Sequence, residues 1–76
     1  MTGRKPAEDA PIPNRIAELR VVAGLSRVQL AQRVGVNPQT IGYLERGEYN
    51  PSLALAFRLA DLFDLTIEQI FARQHA

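Results

Sequence analysis

Apolar residues along the chain recur at the three- and four-residue spacing that is typical of amphipathic helices, and no segment alternates with the period of two that favours a strand. We therefore predict an all-α fold with five helices, at about residues 14–23, 27–34, 38–46, 53–63 and 67–73. Residues 1–13 contain three prolines and almost no bulky apolar residue, which indicates a disordered N-terminal arm ahead of one domain at 14–73.

Capping signals agree with this periodicity at the predicted helix ends. Glycines follow the first three segments, where a left-handed residue ends a helix well: Gly24, Gly35 and Gly47. The later helices open on residues that are favoured as N-caps: Ser26, Asn37, Ser52 and Thr66. Ser26 and Thr66 each have Gln three residues later, which is the capping-box spacing. The predicted boundaries therefore rest on two independent kinds of signal.

The joint between the second and third helices is short. Only residues 35–37 separate them, and a three-residue turn with Gly between two helices of about two turns is the geometry of a helix-turn-helix. Such a joint also occurs in plain helical bundles.

The third helix is predicted to present an acid-free polar face. Ile41 and Leu44 fall on one side and must point inward. The opposite side and its flank carry hydrogen-bonding groups, an aromatic ring and a cation: Gln39, Thr40, Tyr43 and Arg46. These groups suit the base edges and phosphates of a DNA groove, and a merely solvated polar face is the alternative.

Two opposite charges lie within apolar stripes. Arg20 shares the inward stripe of the first helix, and Glu45 shares that of the third. Because an unpaired buried charge is very costly, we predict that the two form a buried ion pair. The alternative is that each side chain extends separately to water.

The fourth helix carries more apolar residues than a small monomer can easily cover. Phe57 and Leu62 widen its apolar arc on opposite flanks, and Phe71 on the fifth helix lies near enough to join them. We predict that these three residues contribute to a homodimer interface. The alternative is that the fifth helix and the arm cover them.

Composition narrows the function further. The net charge of +1 combines +2 over residues 14–50 with −1 over residues 51–76, as expected if the first part faces phosphate. There is no Cys, and the single His75 lies near the end of the chain, so we predict no metal site, no cofactor and no enzymatic activity. No apolar run approaches the roughly 18 residues that span a bilayer, so we expect no membrane association and a cytoplasmic location.

Several runs of residues carry a family resemblance: N-R-I-x-E-L-R from residue 14, G-L-S from 24, L-A-x-x-V-G-V from 30, N-P-Q-T-I-x-x-L-E-R-G from 37 and N-P-S-L-x-L-A from 50. In combination they resemble the Xre family of helix-turn-helix regulators, which is related to the lambdoid phage repressors and Cro. The resemblance implies a five-helix repressor-like domain that regulates transcription, with the helix at 38–46 in the major groove of double-stranded DNA. Its runs also contain Arg20 and Glu45.

The resemblance implies site residues as well. It places Gln39, Thr40 and Tyr43 at base-reading positions, and it places Arg27, Arg46 and Asn50 where the DNA backbone is contacted. The chain departs from the family at Gly42, where Ser or Ala is usual, at Pro38, which replaces a polar residue, and at Glu48, where Lys is common. An antitoxin, or another module with this fold that binds a protein partner, is the alternative function.

Overall fold

The computed structural model describes residues 12–72. It contains five helices: α1 (Ile16–Val22), α2 (Arg27–Val34), α3 (Pro38–Glu45), α4 (Leu53–Phe63) and α5 (Ile67–Ile70). The predicted all-α class is confirmed, and α2 and α4 have the predicted bounds. Residues 1–11 of the predicted arm lie outside the described residues. Ile12, which the prediction placed in the arm, packs against the core.

The first and last helices are shorter than predicted because the two ends of the described segment pair with each other. Asn14 and Phe71 form an isolated antiparallel bridge. Next to it, Arg15 donates its backbone N–H to the Ile70 carbonyl at 2.9 Å, and Ala72 donates its own to the Pro13 carbonyl at 2.7 Å. These backbone groups therefore form hydrogen bonds between the two ends of the domain instead of within a helix. As a result α1 begins only at Ile16, and α5 ends at Ile70.

The predicted N-caps are present at the starts of α2, α3, α4 and α5. Both capping boxes are present, with the Ser26 and Thr66 hydroxyls accepting from the backbone N–H of Gln29 and Gln69. Gly35 adopts φ +79°, a left-handed conformation that other residues adopt only with strain, and it turns the chain from α2 toward α3. Asn37 then caps α3 by accepting from the backbone N–H of Thr40. The helix-turn-helix joint is thus specified locally.

One apolar core joins the five helices, and its buried members are Ile16, Leu30, Ala31, Val34, Ile41, Leu44, Leu55, Ala56, Leu59, Ala60, Ile70 and Phe71. On α4 the inward stripe includes Leu55, while Leu53, two residues earlier, is exposed. Phe71 is buried because it leaves the helical path after Ile70 and packs inward as extended chain.

Side chains from the segment before α1 and from α4 bond to the C-terminal ends of α3 and α2. Asn14 donates its side-chain amide to the Leu44 carbonyl at 2.8 Å, near the end of α3. Arg58 on α4 donates Nε to the Val34 carbonyl at 2.9 Å, at the end of α2. Carbonyls in the last turn of a helix have no partner within the helix, so these bonds both satisfy them and orient α2 and α3.

Candidate nucleic-acid interface

The exposed side of α3 carries the polar residues that the sequence pattern assigned to it. Gln39, Tyr43 and Arg46 are exposed, whereas Ile41 and Leu44 on the opposite side are fully buried. The helix has only eight residues, and its buried pair therefore determines which side chains remain in solvent.

An open depression lies against this side of α3. It is lined by residues from α2, from α3 and from the position just after α3: Arg27, Pro38, Gln39, Gly42, Tyr43 and Arg46. Two of the six are cations, two are neutral hydrogen-bonding side chains, and none is an acid. The depression therefore suits an anionic ligand that also offers hydrogen-bond donors and acceptors.

Thr40 differs from its neighbours on α3 because its hydrogen-bond donors already bond to the N-cap residue, Asn37. Its backbone N–H and its hydroxyl both donate to Asn37 Oδ1, at 3.1 and 3.3 Å. The side chain is half-buried. Thr40 thus supports the start of the helix beside the depression and is not one of the residues that line it.

Arg46 folds back over α3 and covers Gly42. Its guanidinium carbon lies 5.2 Å from the centroid of the Tyr43 ring, within the range of a cation–π contact. Its Nε also donates to Glu48 at 3.1 Å. A Cβ built at position 42 would lie 3.3 Å from Arg46 Nη1, so the glycine leaves room for this arrangement.

Glu45 accepts hydrogen bonds from arginines of two other helices. Arg20 on α1 donates Nε to Oε2 at 2.6 Å and Nη2 to Oε1 at 3.4 Å. Its Nη1 donates to the Leu25 carbonyl at 3.0 Å. The Glu45 and Arg20 side chains are only 4% and 13% exposed, so the two residues predicted to pair lie together in a largely buried contact.

Arg27 adds a third member to this pair. At the first position of α2, it donates Nε to Glu45 Oε1 at 2.9 Å, and its side chain is 56% exposed. Sequence reasoning missed this contact because Arg27 is exposed and, unlike Arg20, was not assigned to an apolar stripe, so nothing in the pattern called for a partner. Arg27 also lines the depression, so one side chain touches both the buried carboxylate and the candidate interface.

Asn50 has a structural contact that the sequence did not indicate. Its Oδ1 accepts the backbone N–H of Ile12 at 3.1 Å and so ties the segment before α1 to the loop after α3. The residue is half-buried. Asn50 lies outside the depression, and its assignment to the DNA backbone has less support than those of Arg27 and Arg46.

The residues predicted for a dimer interface separate into three environments. Phe57 is exposed, and Leu62 is half-buried against the core. Phe71 is buried within the domain because the extended chain after α5 directs it inward, which leaves little of its ring exposed to an interface. Phe57 alone remains as a large exposed apolar group of this set.

Among residues 12–72, no helix is long and apolar enough to cross a membrane. Nor do the Asp and Glu residues of this segment gather into a group that is able to hold a metal ion. Position 75, which carries the single His, lies outside the described residues.

Comparison with known proteins identifies relatives along most of the chain. A relative from Archaeoglobus fulgidus, an uncharacterized HTH-type transcriptional regulator, is 49% identical over 57 residues, which are 75% of this chain and 80% of the relative. Another of the same description, YgzD from Bacillus subtilis, is 40% identical over 58 residues, covering 76% of this chain and 88% of the relative.

Solved structures agree with these relatives. The restriction-modification controller protein C.AhdI from Aeromonas hydrophila superposes with a TM-score of 0.66 at 36% identity, covering 72% of this chain and 83% of that protein. A transcriptional regulator from Listeria innocua superposes with a TM-score of 0.69 at 28% identity, covering 86% of this chain and 64% of that one. The five-helix repressor-like fold is thereby confirmed.

A family model described as helix-turn-helix (HTH_3) matches residues 16–70, from the first residue of α1 to the last of α5. It is a family of DNA-binding domains of transcriptional regulators and not a family of enzymes. Both the family model and the relatives agree with the Xre resemblance of the sequence runs. The chain belongs to the helix-turn-helix (HTH_3) family of Xre-like regulators.

Proposed function

We propose that this protein is a sequence-specific transcriptional regulator that binds double-stranded DNA with α3 in the major groove. The observation that carries the proposal is the acid-free exposed side of α3, bordered by Arg27 and Arg46. The major groove of B-DNA is about 12 Å wide and admits a helix with its side chains. The restriction-modification controller and the HTH-type regulators among the relatives support the same function.

The side chains of the depression divide into two groups by chemistry. Gln39 and Tyr43 project from the exposed side of α3, and an amide such as that of Gln39 bonds an adenine edge with both its donor and its acceptor. Arg27 and Arg46 lie at the borders, where a groove-bound helix passes the phosphates. We therefore assign base reading to the first pair and positioning on the DNA backbone to the second.

A homodimer on DNA is part of the proposal. Phe57 is exposed on α4 and lines a groove together with Leu65 and Ile67. The same apolar face on a second copy of the chain can cover it. A symmetric dimer of this class meets two half-sites about 34–36 Å apart. We place this complex in the cytoplasm.

Selection of bound sequences from a random pool of duplexes tests the function directly. The wild-type chain should enrich a palindromic site, and Gln39→Ala should weaken binding to that site by about 1–3 kcal/mol while relaxing the preference at one base pair that contains adenine. Arg27→Ala should instead weaken selected and random duplexes alike. If Gln39→Ala leaves the ratio of selected to random affinity intact, the base-reading assignment is wrong, and if no sequence is enriched, the proposed function fails.

A further inference from the structure

Two arginines border the depression, and their surroundings differ in one respect. The side chains of Arg27 and Arg46 are 56% and 54% exposed, and each donates Nε to a carboxylate, at 2.9 and 3.1 Å. The acceptor of Arg27 is the buried Glu45, whereas the acceptor of Arg46 is Glu48, which is 54% exposed. Of these two arginines, Arg27 is the one that bonds to a carboxylate held in place by the protein interior.

Arg20 keeps that carboxylate in position from the other side. It donates to both Glu45 oxygens and, through Nη1, to the Leu25 carbonyl. A guanidinium is planar, so a bond from Nε to a fixed acceptor restricts the plane in which the terminal nitrogens of Arg27 lie. Because Arg27 also lines the depression, those nitrogens are available to a ligand seated there.

We propose that Glu45 is a positioning residue for DNA binding, which holds the guanidinium of Arg27 toward one phosphate at the edge of the depression. The inference rests on the proposed function, since its ligand is the DNA backbone. The positive charge of Arg20 offsets the negative charge of Glu45, so the three side chains together present one net positive charge to the phosphate. A side chain that is already ordered loses less conformational entropy when it binds.

This arrangement requires arginine at position 27 and not simply a positive charge. Arginine bonds Glu45 through Nε and keeps its terminal nitrogens for a phosphate. The donors of a lysine all lie on one nitrogen, so an ammonium that is drawn to Glu45 is withdrawn from the DNA. Arg27→Lys should thus behave as the loss of a phosphate contact although the charge is conserved.

The test compares Arg27→Lys, Arg46→Lys and Arg33→Lys by fluorescence anisotropy, on a duplex selected from a random pool and on a random-sequence duplex at several salt concentrations. We expect Arg27→Lys to weaken binding about tenfold on both duplexes, which is the size of one lost charge-assisted hydrogen bond. The log–log salt slope should fall by about 0.9, as for one phosphate contact. Arg46→Lys should lose clearly less, and Arg33→Lys, on α2 outside the depression, should match the wild type.

A double variant shows whether Glu45 is responsible. When Arg27→Lys is made in the E45Q background, its effect on binding should shrink from about tenfold to less than threefold, because the buried charge that withdraws the ammonium is gone. Folding of each variant is checked by its thermal transition. If E45Q does not fold, the comparison of the lysine variants, which leave the Arg20–Glu45 contact in place, decides alone.

The outcomes separate the inference from the proposed function. If Arg27→Lys binds DNA with wild-type affinity, the positioning role is overturned. The same follows if Arg27→Lys weakens binding tenfold both in the wild-type background and in the E45Q background. A loss that is confined to the selected duplex also overturns the inference, because Arg27 then contacts a base instead of a phosphate. If the wild-type chain binds neither duplex, the proposed function itself fails.

Discussion

Replacing Arg20 by Met should strongly destabilise the domain. Met keeps much of the length and apolar volume of the arginine stem, so the change removes mainly the guanidinium. That group makes two hydrogen bonds to Glu45 and one to the Leu25 carbonyl, at 2.6, 3.4 and 3.0 Å. Its loss leaves a carboxylate that is 4% exposed with Arg27 as its remaining partner.

The magnitude follows from the burial of that carboxylate. Removing one partner of a buried ion pair costs about 3–5 kcal/mol, because the other charge stays buried without compensation. Arg27 still donates to Oε1, so we expect the lower end of that range, about 3 kcal/mol. For a domain of this size each kcal/mol shifts the melting temperature by about 4–8 °C, which gives a decrease of about 12–24 °C. The expected loss is a large fraction of the roughly 5–15 kcal/mol that holds a typical domain folded.

Thermal unfolding followed by circular dichroism, together with urea titration, measures this loss. Arg46→Met is the matched control, since it breaks an ion pair whose two side chains are both 54% exposed, and it should cost less than about 1 kcal/mol. Equal melting temperatures for Arg20→Met and the wild type would refute the structural role of the pair. A decrease of the same size in both variants would show that burial of Glu45 is not the cause.

Two further substitutions test the interface and the proposed dimer. Gly42→Ala should raise the free energy of unfolding by up to about 1 kcal/mol through helix propensity, as measured by thermal melting. The added methyl should also displace the flexible end of Arg46 and weaken DNA binding, as measured by anisotropy, and stronger binding would show that the glycine does not serve the interface. Phe57→Ser should leave the fold intact, but analytical ultracentrifugation with a palindromic duplex should show one bound protein chain instead of two. Val22→Ser, also at an exposed apolar position, should still bind as a dimer, and a dimeric Phe57→Ser would exclude the Phe57 face as the interface.

Helix boundaries were predictable from the sequence wherever local chemistry decides them. Asn37 caps α3 and Gly35 adopts the left-handed conformation between α2 and α3, and both effects depend on residues within one turn of the boundary. The predicted bounds of α2, with Ser26 before it and Gly35 after it, were therefore correct. The same holds for the exposed side of α3, because two buried residues fix the orientation of a short helix.

The sequence did not predict features that depend on distant parts of the chain. Asn14 pairs with Phe71 across the whole domain, and this pairing shortens the outer helices and buries an aromatic ring that the pattern had assigned to an interface. On α4, Leu53 and Leu55 are equally apolar, and packing against other helices decides that only Leu55 is buried. The contact between Arg27 and Glu45 is of the same kind, since only the arrangement of α2 against α3 brings the two together.

The contacts that stabilise α3 also determine which side chains it can present to DNA. Successive residues of a helix are about 100° apart, so a rotation of α3 by one position would move Gln39 and Tyr43 away from the depression. Three kinds of contact oppose that rotation: the burial of Ile41 and Leu44, the bond from the Asn14 amide to the end of the helix, and the bonds from Arg20 to Glu45. Because Glu45 also bonds Arg27, the carboxylate that orients α3 also holds the side chain that we propose to contact a phosphate. A single buried residue thereby links the stability of the domain to the geometry of its proposed DNA contacts.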